Sequence, residues 1–222
     1  MILLQMRCLC AAAVLCLSAC VMTQNLKDSD RAKISAVSIS QSVELPPKMY
    51  YLGPAGGAGL MFGAIGALAT VGTTVSDRDA IQALAESNDV HIDKIMVQEL
   101  TDALQASGKL PLADASQNAS ATIKVKIKQY GFSVPHGFTW NVVPILLVQC
   151  EMVDQSGQVI WKGGTYLQPL DNPVDSFPAS TLNDAKVINA AWHQASQAAA
   201  KSIVDGLPPT TSAAQQASPS TD

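Results

Sequence analysis

Residues 121–132, with the sequence ATIKVKIKQYGF, alternate apolar and polar side chains and constrain the fold more than any other segment. Ile123, Val125 and Ile127 fall on one side of a two-residue period, and three lysines fall on the other. This alternation predicts a strand whose apolar side is buried and whose lysine side faces water. We interpret the lysines as a solvated strand face in preference to a phosphate or lipid-head site.

Three other segments have the period or composition of strands. Residues 36–45 alternate in the same way and stop at Pro46-Pro47, which predicts a half-buried strand. Residues 142–153 and 159–161 are apolar and β-rich, and the turn sequence DQSGQ at 154–158 joins them into a hairpin. Pro144 indicates that one end of its strand is irregular or lies at an edge.

Two segments have helical spacing. Apolar residues recur from Ile92 to Leu104, with Asn88 or Asp89 as the expected cap and Gly108 as the end. A second helix is predicted from about Leu182 to Asp205, begun by a capping box at Thr181-x-x-Asp184 and closed by Gly206. The expected class is therefore α+β, a mostly antiparallel sheet of about four strands with two helices packed on one face, plus a glycine-rich apolar insertion.

The first twenty residues have the three-part plan of a secretory signal: one positive charge at Arg7, an apolar run from Cys8 to Leu17, and small residues. They end in Leu17-Ser18-Ala19-Cys20, which resembles the lipobox of bacterial lipoproteins. The resemblance implies cleavage before Cys20 and attachment of membrane lipid to its thiol. An ordinary signal, or an uncleaved anchor with Cys20 incidental, is the alternative.

Cysteine usage fits this interpretation, because the cysteines at 8, 10 and 16 lie inside the signal and only Cys150 remains in the domain. A lone cysteine in an apolar run is expected to be a buried small hydrophobe. Val21 and Met22 follow Cys20 without an aspartate, which by resemblance to enterobacterial lipoproteins favours the outer membrane with the domain facing the periplasm. The inner membrane and the cell surface stay open.

The predicted organisation is a signal peptide at 1–19, a lipidated cysteine and polar tether at 20–33, an α+β domain at 34–206, and a disordered tail at 207–222. The element order, with ASATIKVKIKQYGF and a hairpin ending in GQVIWKGG, loosely resembles periplasmic lipoproteins with a TolB-amino-terminal or curli-secretion-like domain. That resemblance implies an assembly or scaffolding part and not a catalyst.

Catalytic and metal-binding patterns are not recognisable in the sequence. The histidines are far apart and lack metal-ligand spacing, and the loop aspartates are interpreted as turn and cap residues (His91, His136, His193; Asp171, Asp175, Asp184). We expect no cofactor and no metal. The net charge of −4 and the lack of a basic stripe argue against a nucleic-acid partner.

Residues 52–76 form a glycine-rich apolar insertion that contains no charged residue. Its length suits a bilayer, and small residues at every fourth position would allow close helix contact. The membrane-contact candidates are Ala55, Gly59, Gly63 and Ala67 on the small-residue stripe, with Leu60, Ile65 and Leu68 facing elsewhere. A mobile or docked glycine loop is the competing interpretation.

Three functions remain open from the sequence. The favoured one is a lipid-anchored envelope lipoprotein that is not an enzyme and that scaffolds or assists assembly through envelope protein partners. The second is a membrane-inserting or pore-type homo-oligomer that uses the glycine-rich insertion. The third is an envelope hydrolase with an unrecognised site.

Overall fold

The computed structural model describes residues 23–54, 76–113, 118–137 and 139–208. The helices are α1 (Asp28–Arg31), α2 (Asp77–Ser87), α3 (Ile92–Ser107) and α4 (Ala185–Asp205), and a 3-10 helix (Ala179–Asn183) precedes α4. The strands are β1 (Val37–Ile39), β2 (Tyr50–Leu52), β3 (Ala121–Ser133), β4 (Asn141–Asp154), β5 (Val159–Leu167) and β6 (Phe177–Pro178).

The strands form a mixed, mostly antiparallel sheet in the order β1-β3-β4-β5. β1 and β2 both pair in parallel with β3, along its first and its last residues, while β3–β4 and β4–β5 are antiparallel. β6 adds a short antiparallel pairing to the start of β4. The predicted α+β class with its mostly antiparallel sheet is confirmed.

β3 shows the burial that its alternating sequence predicts. Ile123, Val125 and Ile127 are each at most 2% exposed, and Lys124 and Lys128 on the opposite face are exposed. A register shift between Ile127 and Gln129 changes the phase of the alternation after the last lysine. This irregularity explains why the residues from Tyr130 to Ser133 are buried without a clean two-residue period.

The hairpin of β4 and β5 is also confirmed, and its turn is held by one side chain. A carboxylate oxygen of Asp154 accepts hydrogen bonds from the backbone N–H of Ser156 and of Gln158, each at 2.9 Å. Gly157 has a φ of 87°, a left-handed angle that glycine adopts without a steric penalty. Pro144 lies within β4, beyond the last residue that pairs with β5.

The helices cover the apolar face of the sheet. α4 packs against β4 and β5, α3 lies alongside α4, and α2 contacts α4 and β2. Ile188, Trp192 and Ala195 are among the residues that α4 buries, and Ile95, Met96 and Leu100 are among those that α3 buries. The open, lysine-bearing face of the sheet therefore lies on the opposite side of the molecule from α3 and α4.

α2 is a helix that the sequence patterns did not predict, and it changes the expected capping of α3. Asn88 closes α2, Asp89 takes a left-handed φ of 56°, and His91 is the residue that precedes α3. The prediction that Asn88 or Asp89 caps α3 is wrong, because these two residues form the turn between the helices. Gly108 ends α3 with a φ of 59°, as expected.

α4 begins three residues later than predicted. Thr181 lies in the 3-10 helix, where its hydroxyl donates to the carbonyl of Pro178 at 2.7 Å. Asp184 is the N-cap, and its carboxylate accepts from the backbone N–H of Lys186 at 2.8 Å. The capping box at Thr181 is therefore wrong, although its acidic member does cap the helix.

The segment predicted as a polar tether is packed on the domain from Gln24 onward. The backbone N–H groups of Gln24 and Lys162 each donate to the other residue's carbonyl at 3.0 Å, and Leu26 is 5% exposed. At the other end, Leu207 is 2% exposed and belongs to the core, although it was assigned to the tail. β1 is shorter than the predicted strand, because the chain turns at Ser40, whose hydroxyl donates to the carbonyl of Ser42.

Candidate functional site

The site residues predicted from the sequence lie outside the described residues. They are Cys20 and the membrane-contact candidates Ala55, Gly59, Leu60, Gly63, Ile65, Ala67 and Leu68. The structure does describe two places in the chain that adjoin these segments. One is Gln24 beside β5, and the other is the end of β2, where Gly53 and Pro54 follow Leu52.

The first of these places sets an upper limit on the distance from the domain to the predicted lipid. Gln24 forms an antiparallel bridge with Lys162, and its side-chain amide donates to the carbonyl of Val159 at 3.2 Å. Three residues separate Gln24 from Cys20. A fully extended chain spans up to about 3.6 Å per residue, so the two Cα atoms lie within about 14 Å of each other.

The open sheet face, as we use the term, comprises the water-facing side chains of β3, β4 and β5 together with Glu44. A shallow depression of about 740 Å³ on this face is lined by Lys124, Lys126 and Lys128 of β3, with Glu151 of β4. Lys162 of β5 joins them through an ion pair with Glu151, with 2.6 Å between Nζ and Oε1. Four lysines against two glutamates give this face a net charge of +2.

The lysines of the open sheet face differ in their partners. Lys126 is paired with Glu44, which raises the pKa of that lysine. Lys126 in turn lowers the pKa of the neighbouring Lys128 by hydrogen bonding and by its positive charge. Among the residues that the structure describes, Lys124 and Lys128 have no carboxylate within ion-pair distance. Positive charge is therefore crowded at Lys128, beside Lys126, whereas Lys124 lies opposite Glu151 in the strand register.

The opposite surface carries a groove between α3 and α4, which we call the helix groove. It is an open cleft of about 720 Å³, and the loop at 173–175 closes one part of it. Small apolar side chains line part of it: Ala103, Ala106 and Ala198, with Val174 and Val204. Its charged side chains are Glu99, Asp102, Asp175, Asp205 and Lys201. Of these four carboxylates, Asp205 pairs with Lys201 and Glu99 contacts His193, so the excess negative charge of the groove lies at Asp102 and Asp175.

The two helices run in the same direction, so matching ends lie together. At one end of the groove, midway along both helices, Nδ1 of His193 lies 2.8 Å from Oε1 of Glu99. At the other end, the Lys109 side chain, just beyond α3, reaches the last turn of α4. Glu99 is largely buried, and this contact with His193 satisfies one of its oxygens. The hydrogen bond fixes the spacing of the helices on the side of Glu99.

The end of the helix groove is held by Lys109, in what we call the lysine clamp. Its ammonium donates to three carbonyls at the end of α4, those of Val204 at 2.9 Å, Asp205 at 3.0 Å and Leu207 at 3.0 Å. Arg31 then donates to the carbonyls of Lys109 at 2.9 Å and of Pro208 at 2.8 Å. A helix leaves its last carbonyls without partners, so the clamp satisfies groups that would otherwise need water.

The loop of the groove is built by an asparagine. The side-chain amide of Asn172 donates to the carbonyls of Pro144 and Gln168, at 2.8 and 3.0 Å. Its oxygen accepts from the backbone N–H of Val174 at 3.0 Å. These bonds hold Val174, which is 7% exposed, and place Asp175 at the rim. Asp171 supports the same turn with a left-handed φ of 57°.

The groups with reactive side chains are held in structural roles. Cys150 is 1% exposed, as predicted, and burial raises the pKa of its thiol to about 12. His136 is exposed and contacts the carbonyl of Gly137, and His91 contacts a carboxylate oxygen of Asp89 at 2.8 Å. Within the described ranges, no group of three or more His, Cys, Asp or Glu side chains is arranged to hold a metal ion.

An aromatic cluster lies beneath α4, between the helix layer and the sheet. Trp192 stacks on Phe132 with ring centroids 6.2 Å apart and meets Tyr130 edge-on at 5.8 Å. Burial, aided by the charge of Asp77, raises the pKa of the nearby Tyr51 to about 12. In the described part of the chain, the Tyr51 hydroxyl, the Trp192 indole N–H and the Ser196 hydroxyl are buried and have no hydrogen-bond partner.

Sequence reasoning missed the helix groove. The signal that could have pointed to it is the pair of small residues Ala103 and Ala106 on one predicted helix, with Ala198 on the other, flanked by carboxylates. Nothing in the sequence placed these two helices side by side. Among the helices that the structure describes, none combines the length and the apolar character needed to cross a bilayer.

No protein-family model and no curated protein matches this chain. Among solved structures, a Xanthomonas campestris protein of the DUF330 family is 12% identical, with 82% of this chain and 86% of that chain covered and a TM-score of 0.38. The PelC dodecamer from Paraburkholderia phytofirmans is 14% identical, with 79% and 92% covered and a TM-score of 0.26. Lipoprotein GNA1162 from Neisseria meningitidis is 14% identical, with 72% and 96% covered and a TM-score of 0.23. The chain thus has a distant structural likeness to these proteins, which at such low identities and TM-scores assigns it no activity, partner or assembly.

Proposed function

We propose that this protein is a lipid-anchored envelope lipoprotein without catalytic activity, and that it acts as an adaptor by binding a basic segment of a partner protein in the helix groove. The observation that carries the proposal is the helix groove itself, with four carboxylates and a single ammonium over small apolar side chains. The membrane attachment is supported by the lipobox that ends at Cys20.

The chemistry of the groove selects the kind of partner. Its carboxylates stand on two helices and on a loop that hydrogen bonds hold in place, so they are positioned before a partner arrives. Preorganised charges of one sign raise the association rate with a segment of the opposite sign and disfavour acidic segments. Alanine side chains leave space for the partner's own apolar side chains.

The serine and the histidine beside the groove are engaged in holding the fold. The Ser107 hydroxyl donates to the carbonyl of Leu104 at 2.9 Å and accepts from the backbone N–H of Lys109 at 3.2 Å. Nδ1 of His193 is occupied by Glu99. Serine and histidine are thus each tied to a separate neighbour, which supports a binding role.

Photo-crosslinking in the native envelope tests the adaptor role. A photoreactive residue replaces Gln197, an exposed residue of the groove, and in a matched protein it replaces Gln158 at the exposed hairpin tip. We expect a crosslink from position 197 alone, to a peptide rich in lysine and arginine. The double substitution Asp102→Lys/Asp175→Lys should reduce it by about tenfold or more at low salt, because like charges then face each other.

The control is the charge-conserving pair Asp102→Glu/Asp175→Glu, which should keep the crosslink. A crosslinked peptide without basic residues, or a yield unchanged by the lysine pair, would contradict the proposal. The absence of an aspartate after Cys20 leads us to propose the outer membrane as the location, which density fractionation of the envelope checks.

A further inference from the structure

Gln24, four residues after Cys20, lies at the edge of the open sheet face. Gln24 bridges to Lys162, which is one of the four lysines of that face. Strands lie about 4.8 Å apart, so Lys124, two strands away in register, lies about 10 Å from Lys162. A lipid on Cys20, within about 14 Å of Gln24, therefore holds this edge of the sheet close to the membrane surface.

The charges decide which of the two large surfaces turns toward the membrane. The open sheet face has a net charge of +2, while the helix groove on the other side of the molecule has four carboxylates and one ammonium. A leaflet with anionic phospholipids attracts the first surface and repels the second. At physiological ionic strength this attraction reaches about 8 Å, and the short tether lets the face approach the membrane to that distance because about 14 Å is its upper limit.

The edge strand also offers a side chain of the type found at membrane interfaces. Tyr166 is 39% exposed and lies on the same side of β5 as Lys162, opposite the half-buried Leu147. Tyrosine combines an apolar ring with a polar hydroxyl and is enriched at the level of lipid head groups. A tyrosine beside lysines, at the edge nearest the anchor, is a composition typical of a surface that contacts lipid head groups.

We infer that the open sheet face, through Lys124, Lys128 and Tyr166, rests on the anionic phospholipid head groups of the leaflet that holds the lipidated Cys20, in place of the purely solvated face that the alternation in β3 predicts. The inference depends on the lipid anchor in the proposed function. It deepens that function, because with the sheet on the membrane the helix groove points away from it. The groove is then presented to soluble or membrane-bound partners in the aqueous compartment.

The size of the effect follows from the two lysines that lack an ion pair in the described structure. A basic side chain near an anionic membrane favours contact with that membrane by about fivefold. The two lysines together therefore favour the orientation with the open sheet face on the membrane by about 25-fold. The crowding of Lys128 by Lys126 adds to this preference, because an anionic phosphate relieves it.

The test uses the lipidated full-length mature protein in vesicles of phosphatidylethanolamine with phosphatidylglycerol, and in vesicles of phosphatidylcholine alone. Spin labels are attached to Ser42→Cys on the open sheet face or to Gln197→Cys on the helix groove. Cys150 does not compete for the label because it is buried. We expect relaxation by a lipid-tethered nickel chelate to be strong at position 42 and weak at position 197, in the anionic vesicles.

Lys124→Gln/Lys128→Gln should remove most of this difference, and Lys94→Gln/Lys186→Gln, which removes the same charge from helical surfaces, should not. Equal relaxation at positions 42 and 197, or stronger relaxation at 197, would overturn the inference. The intact mass of the same sample separates the two failures. A protein without acyl mass overturns the anchor and the inference together, whereas an acylated protein without orientation overturns the inference alone.

Discussion

Replacing Lys109 with methionine tests whether the lysine clamp holds the end of the helix groove. Methionine keeps most of the aliphatic stem and removes the ammonium that donates to the carbonyls of Val204, Asp205 and Leu207. These carbonyls end α4, where a cation also interacts favourably with the helix dipole. The expected consequence is a frayed last turn of α4 and a wider groove at that end.

The magnitude follows from the geometry. A hydrogen bond to a charged group contributes about 1.5–3 kcal/mol, but the three bonds share one ammonium at a partly exposed site and do not add fully. A cation at a partly buried helix end contributes up to about 2 kcal/mol. We therefore expect Lys109→Met to lower the free energy of unfolding by about 2 kcal/mol, which is a fall of roughly 4–8 °C in Tm for a domain of this size.

Lys201→Met is the matched control, because Lys201 is at the same end of α4. Within the part of the chain that the structure describes, its ammonium pairs with the carboxylate of Asp205 alone, at 2.6 Å, and its side chain is 76% exposed. An exposed pair four residues apart contributes about 0.3–0.5 kcal/mol, so the expected loss in Tm is roughly 1–2 °C. Urea unfolding followed by circular dichroism measures both variants. Equal losses for the two variants would refute the role given to Lys109.

Three other outcomes are expected. Gly131→Ala should destabilise the domain by about 1–3 kcal/mol in urea unfolding, because Gly131 has a φ of 139° and an added Cβ would overlap the backbone of β2. Gly137→Ala should have no such effect, because the space around Gly137 is open. Trp192→Ala should cost about 3–5 kcal/mol, seen as a fall in the urea midpoint, because its ring is 3% exposed and stacked in the aromatic cluster. Burial raises the pKa of the Cys150 thiol to about 12, so at pH 8 this thiol should react with a thiol reagent only as fast as the domain unfolds. The stabilisation that comes from burying the neutral thiol is present below pH 9 and is lost as the pH rises toward 12. Rapid labelling of the folded protein would contradict that burial.

The sheet was predictable where side chains alternate between a solvent-exposed and a buried face. In β3 each apolar residue from Ile123 to Ile127 is buried and each lysine faces water, so the sequence carries the register directly. The hairpin was predictable because Asp154 and Gly157 are the residue types that its turn requires. Short strands such as β2 carry too few residues for a period to be visible.

The sequence of α2 does not show a clear helical period. α2 buries only Ile81 and Ala85, so its apolar face is too sparse to stand out. Its start did carry a signal, since the Ser76 hydroxyl accepts from the backbone N–H of Asp79 at 3.3 Å and donates to its carboxylate at 2.9 Å. The Ser-x-x-Asp spacing is that of a capping box, although here the carboxylate accepts from the Ser76 hydroxyl and not from its backbone N–H.

The candidate surfaces could not be predicted from local sequence, because each one combines distant segments. Glu99 and His193 are 94 residues apart in the chain, and Lys109 lies 98 residues from Leu207. The packing of the segment after Gln24 was hidden for the same reason, since its partner is a strand near residue 162. A polar composition indicated a free tether, whereas backbone pairing and one buried side chain, Leu26, hold it on the domain.

Attachment through Cys20 is tested most directly by the intact mass of the protein purified from envelope membranes. We predict a chain that begins at Cys20 and carries a diacylglyceryl group on its thiol, and a Cys20→Ala protein that keeps residues 1–19 and carries no lipid. A mature chain that begins at another residue, or one that begins at Cys20 without acyl mass, would contradict the anchored adaptor described above.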